Sequence, residues 1–218
     1  MRTLIKHNTR IQSRKEEYAN GISHGLGLIA AIVATPLLII KSIESHSAGF
    51  IVGTSIFCAS MILLYLSSTI YHLLTHAKTK GIFNVIDHSA IFLLIAGTYT
   101  PFTLGALHGA WGWSLFGVIW GIAAIGITLK IVRKKPFPIL STTLYLLMGW
   151  IVVVAVKPLF ALLPIEGIAW LAGGGVLYSL GVIFFVLDAR LHYAHFIWHL
   201  FVLAGTVCHA LAIYWYAA

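Results

Sequence analysis

Eight ionisable side chains stand within, or at the mouth of, long apolar runs of this 218-residue chain: Glu17, His24, His72, Asp87, His88, His195, His199 and His209. Ionisable groups are costly in hydrocarbon, so each marks a functional position by default. Residues three, four and seven apart share a helical face, which groups Glu17 with Asn20 and His24, Ser68 with His72, and His195 with His199. His195 and His199 are set like two metal ligands on one stripe, and Asp87 can bring a carboxylate from another helix. Three neutral imidazoles with an open fourth position form a ligand set typical of catalytic zinc, whose bound water ionises near neutral pH. The same histidines also suit hydrogen bonding between helices along a proton or ion path. A lone H-x-x-x-H does not separate the two, and on the residues alone both stay open. Tyr71, Tyr99, Trp150 and Trp198 read as packing or interface residues. His7, His46 and His108 read as solvated, and His76 as emerging from the membrane. His88, His192 and His209 receive no role.

The elements that must carry these groups follow from composition. Hydrophobic residues make up 60% of the chain and charged ones 9%, against about 25% charged in a typical soluble domain. This excludes a soluble nucleotide-binding or DNA-binding domain, and the net charge of +8 reads as an orientation signal with no call for nucleic acid. Apolar stretches near 21–40, 49–74, 83–106, 111–132, 139–157, 167–187 and 193–217 are each long enough for a spanning helix. Backbone groups in lipid must pair within the segment, so the expected fold is all-α, an integral membrane bundle of seven transmembrane helices. Residues 1–20 form a basic cytoplasmic tail without signal-peptide features, and 21–218 a single transmembrane domain. Twelve of the fourteen Lys and Arg fall on one side of this topology, which predicts a cytoplasmic amino terminus and an outside carboxyl terminus. That orientation places every ionisable group except His209 within about two turns of the cytoplasmic end of its helix. Cys58 and Cys208 lie in apolar runs and imply no disulfide framework. Gly25/Gly27, Gly117/Gly121 and Gly173/Gly174/Gly175 are expected to let helices approach closely.

Taken together, Glu17-x-x-Asn20-x-x-x-His24, Ser68-x-x-x-His72, Asp87-His88, His195-x-x-x-His199 and the stretch I-A-G-T-Y-T-P-F from Ile95 to Phe102 resemble the bacterial hemolysin III-like proteins. These lie within the progestin and adipoQ receptor family, which includes the adiponectin receptors. The resemblance spans nearly the whole chain. It implies a zinc ion held by His72, His195 and His199, with Asp87 holding the zinc-bound water and Ser68 close by as catalytic residues. Glu17, Asn20 and His24 are implied as support behind the ligands or at the cytoplasmic mouth. The family's grouping with alkaline ceramidases implies an inner-membrane protein of membrane lipid homeostasis that hydrolyses a lipid acyl amide or ester, with membrane lipids or fatty acyl chains as partners. The alternative is a non-enzymatic sensor of membrane state in which zinc ties helices together. The short loops leave no room for a hormone-binding domain, and no secretion signal or pore-forming amphipathic segment supports a hemolysin. An ion transporter fits less well, because no span carries a pair of acids.

Overall fold

A computed structural model describes residues 10–107, 109–133 and 137–217 of the chain. Within them lie eight α-helices: α1 (Arg14–Glu44), α2 (Ala48–Leu73), α3 (Ala77–Pro101), α4 (Gly109–Val132), α5 (Pro138–Trp150), α6 (Val156–Leu162), α7 (Ile165–Leu187) and α8 (Ala194–Tyr216). A π-helical turn, Phe102–Ala106, prolongs α3, and a 3₁₀ turn, Ile151–Ala155, joins α5 to α6. The result is seven segments long and apolar enough to cross a membrane. Residues 1–9 of the expected tail, with Arg2, Lys6 and His7, lie outside the described residues, as do His108, Lys134 and Lys135.

The first helix starts earlier than hydropathy suggests. Ser13 accepts the Glu16 backbone N–H while the Glu16 carboxylate accepts that of Ser13, a reciprocal cap that satisfies two N-terminal donors and starts the helix at Arg14 despite its polar first turn. Glu17, Asn20 and His24 therefore share α1. Similarly, the His76 side chain caps α3 by accepting from Thr79 N–H, so Asp87 sits about 15 Å along that helix at 1.5 Å per residue, not at its opening.

Two faces of α1 explain its packing. Ile22, Leu26, Ile29, Val33, Leu37 and Ile40 repeat at helical spacing and are exposed, as expected of a lipid-facing stripe. Asn20, Ser23, His24, Gly27, Ala31 and Leu38 are buried against α2 and α8. The main core joins Phe50, Phe57, Met61, Leu64 and Tyr65 of α2 to Val202, Ala212 and Ile213 of α8. A second core joins Phe92 and Ala96 of α3 to Ile119 and Ala123 of α4 and to Tyr145 and Met148 of α5.

The glycine expectation needs correction. Gly27 lies against Tyr65 and Leu203, and Gly174 against the His209 ring, so closely that a Cβ would collide. Gly25 makes ordinary contact with Thr69, whereas Gly117, Gly121, Gly173 and Gly175 face open space. Composition cannot tell which face of an apolar helix meets another helix and which meets lipid.

Candidate metal centre

His72 sits in the last turn of α2, and His195 and His199 in the first two turns of α8. The fold brings them together at the end of the bundle where α1, α3 and α8 begin. One ring nitrogen from each lies within 4.8 Å of the other two. His72 and His199 are buried, and the His195 side chain is 11% exposed. Ring centroids are 4.7 Å apart for His195 and His199, and 5.0 Å for His72 with either.

The outer hydrogen bonds decide what these rings can do. His72 Nδ1 is 2.7 Å from Glu17 Oε2, His195 Nδ1 is 3.2 Å from Asp188 Oδ2, and His199 Nδ1 is 3.2 Å from the Asn20 carbonyl oxygen. Carboxylates and carbonyls only accept, so each Nδ1 carries the proton and donates it. That leaves Nε2 as the lone-pair nitrogen of all three rings. His72 Nε2 is buried with no hydrogen-bond partner, a costly arrangement unless something binds there. Metal-ligating histidines characteristically give their other N–H to a carboxylate or carbonyl. The residues therefore fit a borderline-soft cation of the zinc type, with three neutral nitrogen donors.

The supporting groups are themselves held. Glu17 Oε1 takes Lys80 Nζ of α3 at 2.8 Å. Ser23 Oγ donates to the Asn20 carbonyl at 2.8 Å and lies 3.1 Å from His199 Nδ1. Burial acts to raise the Asp188 carboxyl pKa, but hydrogen bonds from His195 and Gln12 and the nearby Arg10 charge outweigh it and hold the group below its ordinary value. His24 is also buried, and it contributes by stacking: its ring lies 3.5 Å from that of His199 at 8°, and neither of its nitrogens has a hydrogen-bond partner.

A cavity of about 390 Å³ opens from this centre into the bundle. Ser68, Asp87, His24, His195 and His199 line one end, and Val156, Leu159, Ile168 and Leu171 line the part toward the opposite membrane face. Ser68 Oγ is buried and unpaired. Asp87 is 7% exposed and is not among the groups whose ligand atoms converge. Two of the three clustered histidines, His195 and His199, thus border a cavity that also carries a carboxylate and a hydroxyl.

Other flagged residues have local partners. His209 Nε2 lies 3.2 Å from the Leu171 carbonyl, His88 Nδ1 lies 2.8 Å from the Asn84 carbonyl, and His192 is exposed beside Arg10. His46 is in the turn before α2 with φ 53°. Tyr99 donates to the Met148 and Gly149 carbonyls, and Trp150 to Ser179. Trp198 packs on Phe185, and Tyr71 meets the His72 ring edge-on. The spacing arguments missed Asp188, Ser23, Arg10 and Gln12. Asp188 stands seven residues before His195, which would have flagged it on one helix, but the turn between α7 and α8 interrupts that register.

The pattern of the family described as "Haemolysin-III related" matches residues 12–210. The chain belongs to this family. It is 49% identical over 202 residues to the hemolysin-3 homolog of Bacillus subtilis (strain 168), covering 93% of this chain and 94% of that one. It is 46% identical over 202 residues to hemolysin-3 of Bacillus cereus, covering 93% and 92% of the two chains. Similarity extends to the human monocyte to macrophage differentiation factor, 30% identical over 210 residues and covering 92% of this chain and 84% of that protein. The three histidines, Glu17, Asn20, Ser68 and Asp87 all fall inside the family's matched span.

Proposed function

We propose that this haemolysin-III family protein is a zinc-dependent hydrolase of a lipid acyl amide or ester in the bacterial inner membrane, serving membrane lipid homeostasis. The observation that carries the reading is the convergence of His72, His195 and His199 beside an apolar cavity whose wall presents His195, His199, Asp87 and Ser68. A zinc ion held by His72, His195 and His199 would supply Lewis acidity to a scissile carbonyl and to water at this end of the cavity. The apolar length of the cavity takes a fatty acyl chain and sets its carbonyl at the histidine end. Asp87, buried and within the same cavity, takes the proton from the attacking water and returns one to the leaving group. Ser68, whose hydroxyl has no internal partner, donates to the carbonyl oxygen as negative charge develops on it. Glu17, Asp188 and Asn20 hold the rings in their metal-binding tautomer. The Lys and Arg distribution supports placing this end of the bundle, and the amino terminus, on the cytoplasmic side.

The test pairs zinc analysis of the purified full-length protein with turnover of acyl-amide and acyl-ester probes in lipid nanodiscs. Stoichiometric zinc with turnover that depends on Asp87 is the expected result. Zinc without turnover, in a protein whose Asp87→Asn variant restores a deletion strain, would leave a structural metal in a membrane sensor.

A further inference from the structure

The segment ahead of α1 is held across the mouth of the metal centre. Ser13 is extended, with φ −70° and ψ 160°, and Arg10 reaches the turn between α7 and α8. Arg10 grips Glu16 through both terminal guanidinium nitrogens at 2.8 and 2.7 Å and donates to the Leu191 carbonyl at 3.0 Å. Glu16, 2% exposed, also accepts the Tyr193 N–H at 2.8 Å, holding that residue in the left-handed conformation (φ 57°) from which α8 starts. These contacts anchor the strand, and Gln12 lies between them.

Gln12 uses both polar atoms of its side chain. Its Nε2 donates to the two Asp188 carboxylate oxygens at 3.0 and 2.8 Å, and its Oε1 accepts from Asn20 Nδ2 at 2.7 Å. Asp188 accepts from His195, the Asn20 carbonyl accepts from His199, and the Asn20 amide lies 3.5 Å from His72 Nδ1. A single amide from outside the helices is thus bonded directly to the carboxylate that orients His195 and to the side chain of Asn20, the residue whose carbonyl faces His199. The chemistry also calls for an amide. A carboxylate at this position would oppose that of Asp188, and an ammonium has no acceptor for Asn20.

We infer that Gln12 is a positioning residue of the metal centre, fixing the His195 ring through Asp188 and locking it to the Asn20 side of the site. This inference rests on the reading that His72, His195 and His199 hold a metal ion. Orienting groups behind a metal's histidines change affinity by about 10–100-fold when removed, and residues that act through one another lose their effects non-additively.

The experiment uses full-length protein in nanodiscs, with Zn²⁺ affinity read by chelator competition and Co²⁺ absorption bands reporting ligand geometry. Gln12→Ala, and Gln12→Met as a variant of similar length that preserves packing, should each weaken Zn²⁺ binding about tenfold or more and shift the Co²⁺ bands. Asp188→Ala should weaken it at least as much, and the double variant Gln12→Ala/Asp188→Ala no further than Asp188→Ala alone. A role confined to anchoring the strand predicts lower thermal stability with unchanged affinity and spectrum in both Gln12 variants, and that outcome overturns the inference. Losses that simply add in the double variant overturn it too. Failure of the unmodified protein to bind either ion would instead overturn the metal reading itself.

Discussion

Removing the Glu17 carboxylate isolates what the tautomer argument is worth. Glu17 Oε2 sits 2.7 Å from His72 Nδ1, and its other oxygen sits 2.8 Å from Lys80 Nζ. The His72 side chain is 2% exposed and that of Glu17 23%, so water cannot easily replace the lost acceptor at the ring. In Glu17→Ala the Nδ1–H is left unpaired, a cost of about 1–3 kcal/mol, and the ring is free to turn its lone pair away from the other two histidines. Zinc affinity should fall by about 10–100-fold, equivalent to about 1.4–2.8 kcal/mol of binding free energy. Glu17→Gln keeps an oxygen that can accept from His72 but loses the charge facing Lys80, so its loss should lie at the lower end of that range. Chelator competition on purified protein measures both variants, and thermal unfolding of the metal-free forms separates folding from binding. Glu17→Ala binding zinc as tightly as the parent protein would refute the argument that this carboxylate sets the His72 tautomer.

Replacing His72, His195 or His199 by Ala should each abolish stoichiometric zinc, while His209→Ala should retain it, because His209 is engaged with the Leu171 carbonyl; elemental analysis decides. Asp87→Asn should keep zinc and lose about a hundredfold or more in turnover of acyl probes, the amide being unable to take a proton; zinc loss in that variant would make Asp87 a ligand. Gly53→Ala places a methyl 2.7–2.8 Å from the Pro101 and Thr100 backbone and should destabilise the protein by about 1–3 kcal/mol, whereas Gly117→Ala, facing open space, should not; melting curves in one detergent compare them. For topology, in a background lacking Cys58 and Cys208, Lys15→Cys should resist a membrane-impermeant thiol reagent added to intact cells and Glu44→Cys, exposed at the far end of α1, should react; the opposite pattern would reverse the proposed orientation.

Membrane residence and the number of spans follow from the sequence itself because their causes are local, whereas the set His72, His195 and His199 comes from the resemblance to the family. A run of apolar residues has no soluble alternative, and the His195–His199 spacing places two rings on one face of any helix that forms there. The order and spacing of the motifs were also enough to suggest the family. Boundaries were less legible: polar Glu16 and Glu17 look like tail, and only the Ser13–Glu16 cap shows why α1 absorbs them. Which glycines pack was not legible at all, since Gly117 and Gly174 sit in equally apolar surroundings along the chain but differ in what they face. The orienting groups depend on the tertiary structure most of all. Gln12 reaches Asp188 across 176 positions, and the Asn20 carbonyl meets His199 across 179. No periodicity links residues so far apart, because these contacts arise from packing α1 against α2 and α8, and a backbone carbonyl carries no residue signature. The sequence by itself determined which side chains are available for the chemistry, and the three-dimensional packing decided which nitrogen of each ring is left to do it.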